Sequence, residues 1–106
     1  MTEAKFDDLI HAPTRLAIVA LLAATEWAEF RYIRDSVGLS DSALSKQLTT
    51  LEDSGYVEID KGFVGKRPRT TARLSAAGRT AFAGHVAALQ AIVAQSGASV
   101  LPDTRS

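Results

Sequence analysis

The stretch SDSALSKQLTTLEDSGY, residues 40–56, decides the fold of this chain. Its leucines at 44, 48 and 51 have the spacing of residues on one face of an α-helix. Ser40 is a favoured N-cap residue and Gly55 a favoured C-terminal stop, so the stretch predicts a helix over 41–53. The opposite face carries mostly short Ser and Thr side chains, whereas an ordinary exposed face is rich in Glu, Lys, Gln and Arg. So small an outer face needs a physical explanation.

A shorter helix precedes this one and is joined to it by a tight turn. Residues 30–37 carry apolar side chains at helical spacing, and Gly38 is suited to end that helix in a left-handed conformation. Upstream, 13–24 predict a helix and 26–28 a very short strand. Two helices joined by a tight turn that contains glycine are typical of a helix-turn-helix.

After the helix over 41–53, the pattern changes to a hairpin followed by a long helix. Residues 56–59 alternate like a half-buried strand, and 70–74 are expected to pair with them. The ten residues between, DKGFVGKRPR, contain two glycines, one proline and four cations, and they predict a long loop, or wing. From Ser75, an alanine-rich helix is predicted to run to Gln95, and 96–106 are expected to form a flexible tail.

The predicted order is helix, short strand, helix, helix, strand, wing, strand and long helix. It defines a mainly α fold with a small β-hairpin, a winged helix-turn-helix, in one domain over 1–95. Three stretches, which together cover roughly 11–93, carry a resemblance to known proteins: HAPTRLAIVALL, LSDSALSKQLTTLEDSGYVEI and KGFVGKRPRTTARLSAAGR. On these stretches the chain resembles small bacterial winged-helix transcriptional regulators related to the MarR and ArsR families. It implies a DNA-binding regulator that forms dimers through helices at both ends of the chain.

Composition limits the kinds of protein that this chain can be. Its 106 residues are 46% hydrophobic and 23% charged, as expected of one globular domain. The absence of cysteine excludes disulfides, thiolate metal sites and redox-sensing thiols. The start, MTEAKFDDL, is acidic and lacks the order of a signal peptide, and the apolar runs are too short to cross a bilayer. The expectation is a soluble cytoplasmic protein.

Charge is distributed unevenly along the chain, although the formal net charge is zero. The segment 61–79 contains six basic residues and no acid, so the remainder carries an equal excess of acids. This asymmetry predicts one local anion-binding edge rather than a basic surface.

Double-stranded DNA is a partner that explains the small outer face of the helix over 41–53. A helix in the major groove must approach the base edges, and short side chains permit that approach. Hydroxyls can bond phosphates or bases, Gln can pair with adenine, and Lys can reach guanine or phosphate. The helix residues predicted to bind DNA are Ser42, Ser45, Lys46, Gln47, Thr49 and Thr50. The alternative is a polar face that is merely solvated.

The wing supplies a second predicted contact, on phosphates or in the minor groove. Its predicted contact residues are Lys61, Lys66, Arg67 and Arg69. Pro68 lies among them and stiffens the tip, which lowers the entropic cost of ordering on binding. The alternative is a solvated cationic loop.

Four further cations each have two interpretations. Arg73 and Arg79 fit either a DNA contact or a structural role. The remaining two, Arg31 and Arg34, fit either phosphate contacts or ion pairs with neighbouring acids, Glu29 or Asp35.

The long C-terminal helix carries more apolar surface than so small a core can cover. Its predicted dimer-interface residues are Phe82, Val86, Leu89 and Val93. A two-fold homodimer would place two recognition helices ~34 Å apart and favour a near-palindromic operator. The alternative is a helix that packs back onto its own domain.

Metal, cofactor and catalytic functions have little support. The two histidines, His11 and His85, could approach the dimer interface near Asp7 and Asp8, but lone histidines are more often structural. No metal site and no cofactor are predicted. The glycines of GFVGKR, 62–67, lack the spacing of a phosphate-binding loop, and no hydrolase or metalloprotease motif is present. A ligand cleft near Trp27, Tyr32 or Phe82 is not demanded by any residue pattern.

Two rival functions remain open. A winged helix can serve as a protein-interaction module without DNA affinity, but such a module needs no cation cluster in its wing. RNA binding would normally require exposed aromatics for base stacking, and Phe63 is the only candidate in the wing.

Overall fold

The computed structural model describes residues 3–96 of the protein. Within this range the elements are α1 (Asp8–His11), α2 (Pro13–Ala23), β1 (Ala28–Glu29), α3 (Phe30–Val37), α4 (Asp41–Asp53), β2 (Val57–Val64), β3 (Arg67–Leu74) and α5 (Ala76–Gln95). The strands form an antiparallel sheet in the order β1-β3-β2. This architecture confirms the predicted fold class. None of the helices in the described range has the length and hydropathy that crossing a bilayer requires.

Local sequence signals determine where the helices begin and end. The Ser40 hydroxyl accepts a hydrogen bond from the Ala43 amide at 3.1 Å, and the Ser75 hydroxyl accepts one from the Gly78 amide at 3.0 Å. Gly38 ends α3 with a φ of 72°, in the left-handed region that favours glycine. The bounds predicted for α3 and α4 are therefore confirmed.

The core lies where α2, α3 and α4 meet the sheet. Its buried residues include Ile18, Val19 and Leu22 of α2, Ile33 of α3, Leu44, Leu48 and Leu51 of α4, and Val57, Ala72 and Leu74 of the sheet. Burial of the leucine face directs the short polar side chains of α4 toward the surface.

The hairpin differs from the sequence prediction. The sequence predicts a loop over 60–69, but β2 and β3 pair along their whole lengths, from Val57 with Leu74 to Val64 with Arg67. Only Gly65 and Lys66 form the turn, and Gly65 has a φ of 65°, which a two-residue hairpin turn requires at its first position. The outer part of the hairpin has no core to cover, so its sequence lacks the apolar alternation by which strands are recognised.

Three smaller differences concern the edges of the fold. The N-terminal helix α1 has no counterpart in the predicted order; it begins after Asp7, whose carboxylate accepts a hydrogen bond from the Ile10 amide at 3.0 Å. The short strand covers Ala28 and Glu29 instead of 26–28. Ser96 is the C-cap of α5, and the remainder of the predicted tail, from 97 onward, lies outside the described residues.

The start of α5 packs directly against the chain that leads into β2. The Ser75 amide donates to the Tyr56 carbonyl at 3.0 Å. Gly78 is buried one turn later, where an added Cβ would overlap that same carbonyl oxygen. A backbone atom cannot move aside as a flexible side chain can, so this contact requires glycine.

We therefore expect Gly78→Ala to destabilise the protein by more than about 2 kcal/mol, because α5 must shift away from the Tyr56 carbonyl. Urea unfolding followed by circular dichroism measures the change. Gly62→Ala is the matched control, since its added Cβ would meet only a side-chain oxygen of Asp60 at 3.8 Å. Equal stability of the two variants would contradict the packing argument.

Candidate nucleic-acid interface

A cleft of about 700 Å³ separates α3 and α4 from the hairpin. Ser45 and Thr49 of α4 line one side. Lys61, Arg67 and Arg69 of the hairpin line the other. The structure therefore brings predicted residues from the helix and from the wing to the same concave surface.

The six predicted residues of α4 are not equivalent. Ser42, Ser45, Lys46 and Thr49 are exposed, whereas Gln47 and Thr50 are half-buried. The Thr50 hydroxyl donates to the Lys46 carbonyl at 3.1 Å, which satisfies it within the helix. The exposed four are the members of the set that are open to a partner.

Gln47 is held against the body of the domain by an arginine that no sequence pattern singles out. Arg15 of α2 donates from Nη1 to Gln47 Oε1 at 3.1 Å and from Nε to the Leu9 carbonyl at 2.7 Å. Arg15 thus links α1, α2 and α4. Its partner lies 32 residues away in the sequence, so no local pattern could reveal this role.

The wing cations are all exposed, but they differ in their partners. Arg69 pairs with Glu29, with Nη2 and Oε2 3.1 Å apart and both side chains about half exposed. In the described range, Lys61, Lys66 and Arg67 take part in no ion pair. These three carry positive charge that no acid within residues 3–96 pairs with.

Acidic residues also line the cleft, and two of them are neutralised by arginines. Glu29 is paired with Arg69, and Asp41 accepts from Arg34 at 2.9 Å. Arg34 also contacts Asp35 at 2.9 Å. The hydrogen bonds to Asp35 and Asp41 raise the pKa of the Arg34 guanidinium above its ordinary value, and the bond to Asp35 has the larger effect. Arg34 therefore ties the end of α3 to the start of α4 through ion pairs. Arg31, for which the sequence left the same choice open, lines the cleft and takes part in no ion pair within residues 3–96.

Arg73 and Arg79, for which the sequence left two interpretations open, have structural roles. Arg73 pairs with Glu58 at 2.8 Å, and its guanidinium carbon lies 4.6 Å from the centre of the Trp27 ring. Arg79 donates to the carbonyls of Ala23 and Thr25 at 3.2 and 3.0 Å, where it satisfies the C-terminal end of α2. The guanidinium groups of both residues are therefore engaged within the domain.

The two histidines meet on the side of the domain formed by α1 and α5. The Asp7 amide donates to Nδ1 of His85 at 3.0 Å, and Nε2 of His85 lies 3.2 Å from Nδ1 of His11. Since Nδ1 of His85 accepts, its proton belongs on Nε2, which donates to His11. The Tyr56 hydroxyl donates to the Asp7 carboxylate at 2.6 Å. The cluster joins the N-terminal segment, the residue that precedes β2, and α5. No three metal-ligating side chains come together within residues 3–96.

Burial makes this cluster sensitive to protonation. Burial lowers the pKa of the fully buried His85, and nearby His11 lowers it further, against the opposing effect of Asp7 and Asp8. Burial would raise the pKa of Asp7, but hydrogen bonds from Tyr56 and from the amides of Ile10 and Leu9 together lower it. The folded state therefore favours a neutral His85 beside an ionised Asp7.

The predicted dimer residues lie along α5 with different surroundings. Phe82 packs against the core, so part of its surface is used within the domain. Val86, Leu89 and Val93 are half-buried. Ile92, which is not among the predicted interface residues, is 51% exposed. The second half of α5 thus presents apolar surface to the outside.

A helix-turn-helix followed by a hairpin, whose basic wing lies across a cleft from the exposed face of the second helix, is typical of winged-helix domains. Residues 14–93 match the family model of the winged helix DNA-binding domain. The chain belongs to this family, which is a family of DNA-binding domains rather than of enzymes.

Individual relatives agree with this assignment. An uncharacterised protein of Methanocaldococcus jannaschii is 32% identical over 78 residues, which cover 74% of this chain and 85% of that protein. A solved transcriptional regulator homologue of Pyrococcus horikoshii OT3 superposes with a TM-score of 0.79 at 24% identity, covering 85% of this chain and 89% of its own.

The resemblance to two regulator families is also confirmed at the level of the fold. A MarR family transcriptional regulator of Silicibacter pomeroyi has a TM-score of 0.64 at 20% identity, covering 92% of this chain and 64% of that chain. A homodimeric winged helix-turn-helix domain of Mycobacterium bovis, described as a possible ArsR-family regulator, has a TM-score of 0.58 at 24% identity, covering 84% and 74% of the two chains.

The protonation of His85 predicts how stability depends on pH. In the unfolded chain this histidine gains a proton near its ordinary pKa of about 6.5, while the folded state holds it neutral to lower pH. The unfolded state then binds more protons, so the free energy of unfolding falls as pH decreases from about 7.5 to about 5.5. Asp7, whose pKa is lowered, adds a further loss only at more acidic pH.

Urea denaturation at several pH values measures this dependence. The non-titrating variant His85→Gln retains an acceptor and a donor, and it is expected to flatten the change between about pH 7.5 and 5.5. If the variant loses stability with acid as steeply as the wild type, the source lies elsewhere.

Proposed function

We propose that the protein is a homodimeric, sequence-specific DNA-binding transcriptional regulator that acts as a repressor. In this proposal α4 enters the major groove, and the wing contacts phosphates or the minor groove. The observation that carries the proposal is the pairing of two surfaces across one cleft: the short exposed side chains of α4 and the unmatched cations of the wing. The activity would be exercised in the cytoplasm, where bacterial DNA is found.

The helix side of the cleft has the size and chemistry that a major groove accepts. Ser42, Ser45 and Thr49 follow one another at i, i+3 and i+7, so they form a stripe of short hydroxyl side chains. Lys46 lies beside the stripe and is long enough to reach a phosphate or a guanine. The leucine core behind α4 holds this stripe in place without any partner.

The wing side supplies electrostatic attraction. Lys61, Lys66 and Arg67 make no ion pair within residues 3–96, so DNA phosphates would add interactions without breaking internal ones. Arg69 can contribute as well, but it must exchange or share Glu29. A protein-interaction module would not require this set of unmatched charges, and the DNA-binding proposal is therefore the stronger one.

Dimerisation is proposed through α5. Its apolar residues beyond the core, Val86, Leu89, Ile92 and Val93, would pack against the same residues of a second copy about a two-fold axis. The winged helix-turn-helix domain of Mycobacterium bovis is homodimeric, which supports a dimer here as well. Two recognition helices ~34 Å apart would read a near-palindromic operator.

The first test is DNA binding by fluorescence anisotropy across a salt series, using DNA from upstream of the gene. Lys61→Ala/Lys66→Ala/Arg67→Ala is expected to reduce the slope of log affinity against log salt by about 2 to 3, because each phosphate contact contributes about 0.9. Arg73→Ala is the matched control, since Arg73 is engaged with Glu58 and Trp27. An unchanged slope in the triple variant would remove the wing from the interface.

The second test concerns the dimer. Ile92→Glu places a charge on an exposed apolar position of α5, so it should leave folding intact while dissociating the dimer and lowering affinity for a palindromic site. Sedimentation velocity measures the molecular mass. Gln90→Glu introduces the same charge at another exposed position of α5 and is expected to remain dimeric. A monomeric wild-type protein would refute this part of the proposal.

A further inference from the structure

The tip of the hairpin exposes an aromatic ring that the packing of the domain does not use. Phe63 is 72% exposed, more than Tyr32 at 53% or Trp27 at 43%. Val64 beside it is 55% exposed. A large apolar side chain that is exposed to water at the end of a hairpin does not stabilise the domain. Binding to a partner would give this exposed ring a physical role.

Strand pairing places a second rigid ring next to Phe63. Phe63 is opposite Pro68, one residue from the Gly65-Lys66 turn. In a two-residue hairpin the residues that flank the turn exchange hydrogen bonds, so Phe63 and Pro68 form a pair without ladder bonds. The missing N–H of Pro68 consequently costs no ladder bond, and side chains at such a pair lie close together. The result is a narrow apolar tip built from two stiff side chains.

The orientation of this tip agrees with that of the cleft. Side chains two residues apart on a strand share a face, so Phe63 lies on the same face as Lys61. Lys61 and Pro68 both line the cleft that faces α4. Phe63 therefore continues the cleft-facing side of the hairpin toward its tip.

The surroundings of the tip favour a polyanion as its occupant. Lys66 is in the turn, and Arg67 and Lys61 are near neighbours, all without ion pairs within residues 3–96. Phosphates flank every base step of a duplex, so cations on both sides of an apolar wedge match a DNA groove. Apolar wedges that enter the minor groove part a base step and bend the duplex.

We propose that Phe63, backed by Pro68, is an apolar wedge that enters the minor groove at one base step and bends the operator. This inference rests on the proposed DNA-binding function and adds to it a residue outside the sequence-predicted contacts. The cations of the wing bring the tip to the groove, and the ring of Phe63 supplies the distortion. Sequences with an easily unstacked step, such as TA, would then be preferred opposite the tip.

The test measures binding and bending on the same DNA. A duplex of about 30 base pairs, selected from a random pool by the wild-type protein, carries a fluorophore at each end and 2-aminopurine at the step next to the wing. Binding of the wild type is expected to raise end-to-end energy transfer by a bend of about 20 to 90°, and to raise 2-aminopurine fluorescence through unstacking.

Three variants separate the wedge from other effects. Phe63→Ser should lose the bend and the fluorescence rise, weaken affinity by about tenfold at most, and keep the salt slope, since it removes no charge. Phe63→Leu should restore bending in large part, because an aliphatic wedge can also enter a base step. Tyr32→Ser removes an exposed aromatic of α3 and should bend DNA like the wild type.

The outcomes distinguish this inference from the proposed function. Wild-type protein that binds the selected duplex without bending it, or a Phe63→Ser variant that bends it fully, overturns the wedge and leaves the regulator intact. Failure to select any duplex refutes DNA binding, and the wedge with it. If Phe63→Ser instead changes the mass of the free protein in sedimentation, the tip is a contact between copies, and the wedge is wrong.

Discussion

The burial of one face of α4 is the constraint on which the rest of the molecule depends. Leu44, Leu48 and Leu51 are fully or almost fully removed from water in a core shared with α2, α3 and the sheet. Burial of each such side chain stabilises the folded state by roughly 1.5–3 kcal/mol. A rotation of α4 about its axis would expose these leucines and lose several of these contributions. The same burial holds Ser45 and Thr49 outward. The surface proposed to read DNA is thus a direct consequence of hydrophobic packing.

The polar interactions of the domain hold the elements around α4 in position. Arg15 links Gln47 of α4 to α1, and Arg34 connects α3 with α4. Arg79 donates a hydrogen bond to the carbonyl at the C-terminal end of α2. Each is only partly screened from water, so each adds little stability on its own. Their common effect is geometric, because each joins elements that carry or support the cleft.

The cations divide into those with internal partners and those without. Arg34, Arg73 and Arg79 are engaged within the domain, whereas Lys61, Lys66 and Arg67 make no ion pair in the described range. A neutral net charge conceals this division, because Asp35, Asp41 and Glu58 are paired with structural arginines, whereas the segment 61–69 contains no acid. The unmatched charge surrounds the apolar tip at Phe63, and the two features together distinguish the wing from an ordinary surface hairpin.

Much of this protein was determined by the sequence itself. The leucine spacing, the capping residues Ser40 and Ser75, and Gly38 are signals between near neighbours, and they predicted α3, α4 and α5 with their bounds nearly unchanged. The cationic composition of 61–69 likewise predicted the wing as a charged surface. These predictions succeeded because helix geometry and capping depend on residues no more than four positions apart.

Only the tertiary structure decided which members of the predicted site are available. Gln47 is committed by Arg15 and Arg69 by Glu29, through contacts between residues 32 and 40 positions apart in the chain. The length of the hairpin, and with it the pairing of Phe63 with Pro68, came from strand pairing that leaves no apolar periodicity in the exposed segment. The buried position of His85 arose in the same way. Such contacts depend on the folded path of the chain, because their partners are distant in sequence and adjacent only in space.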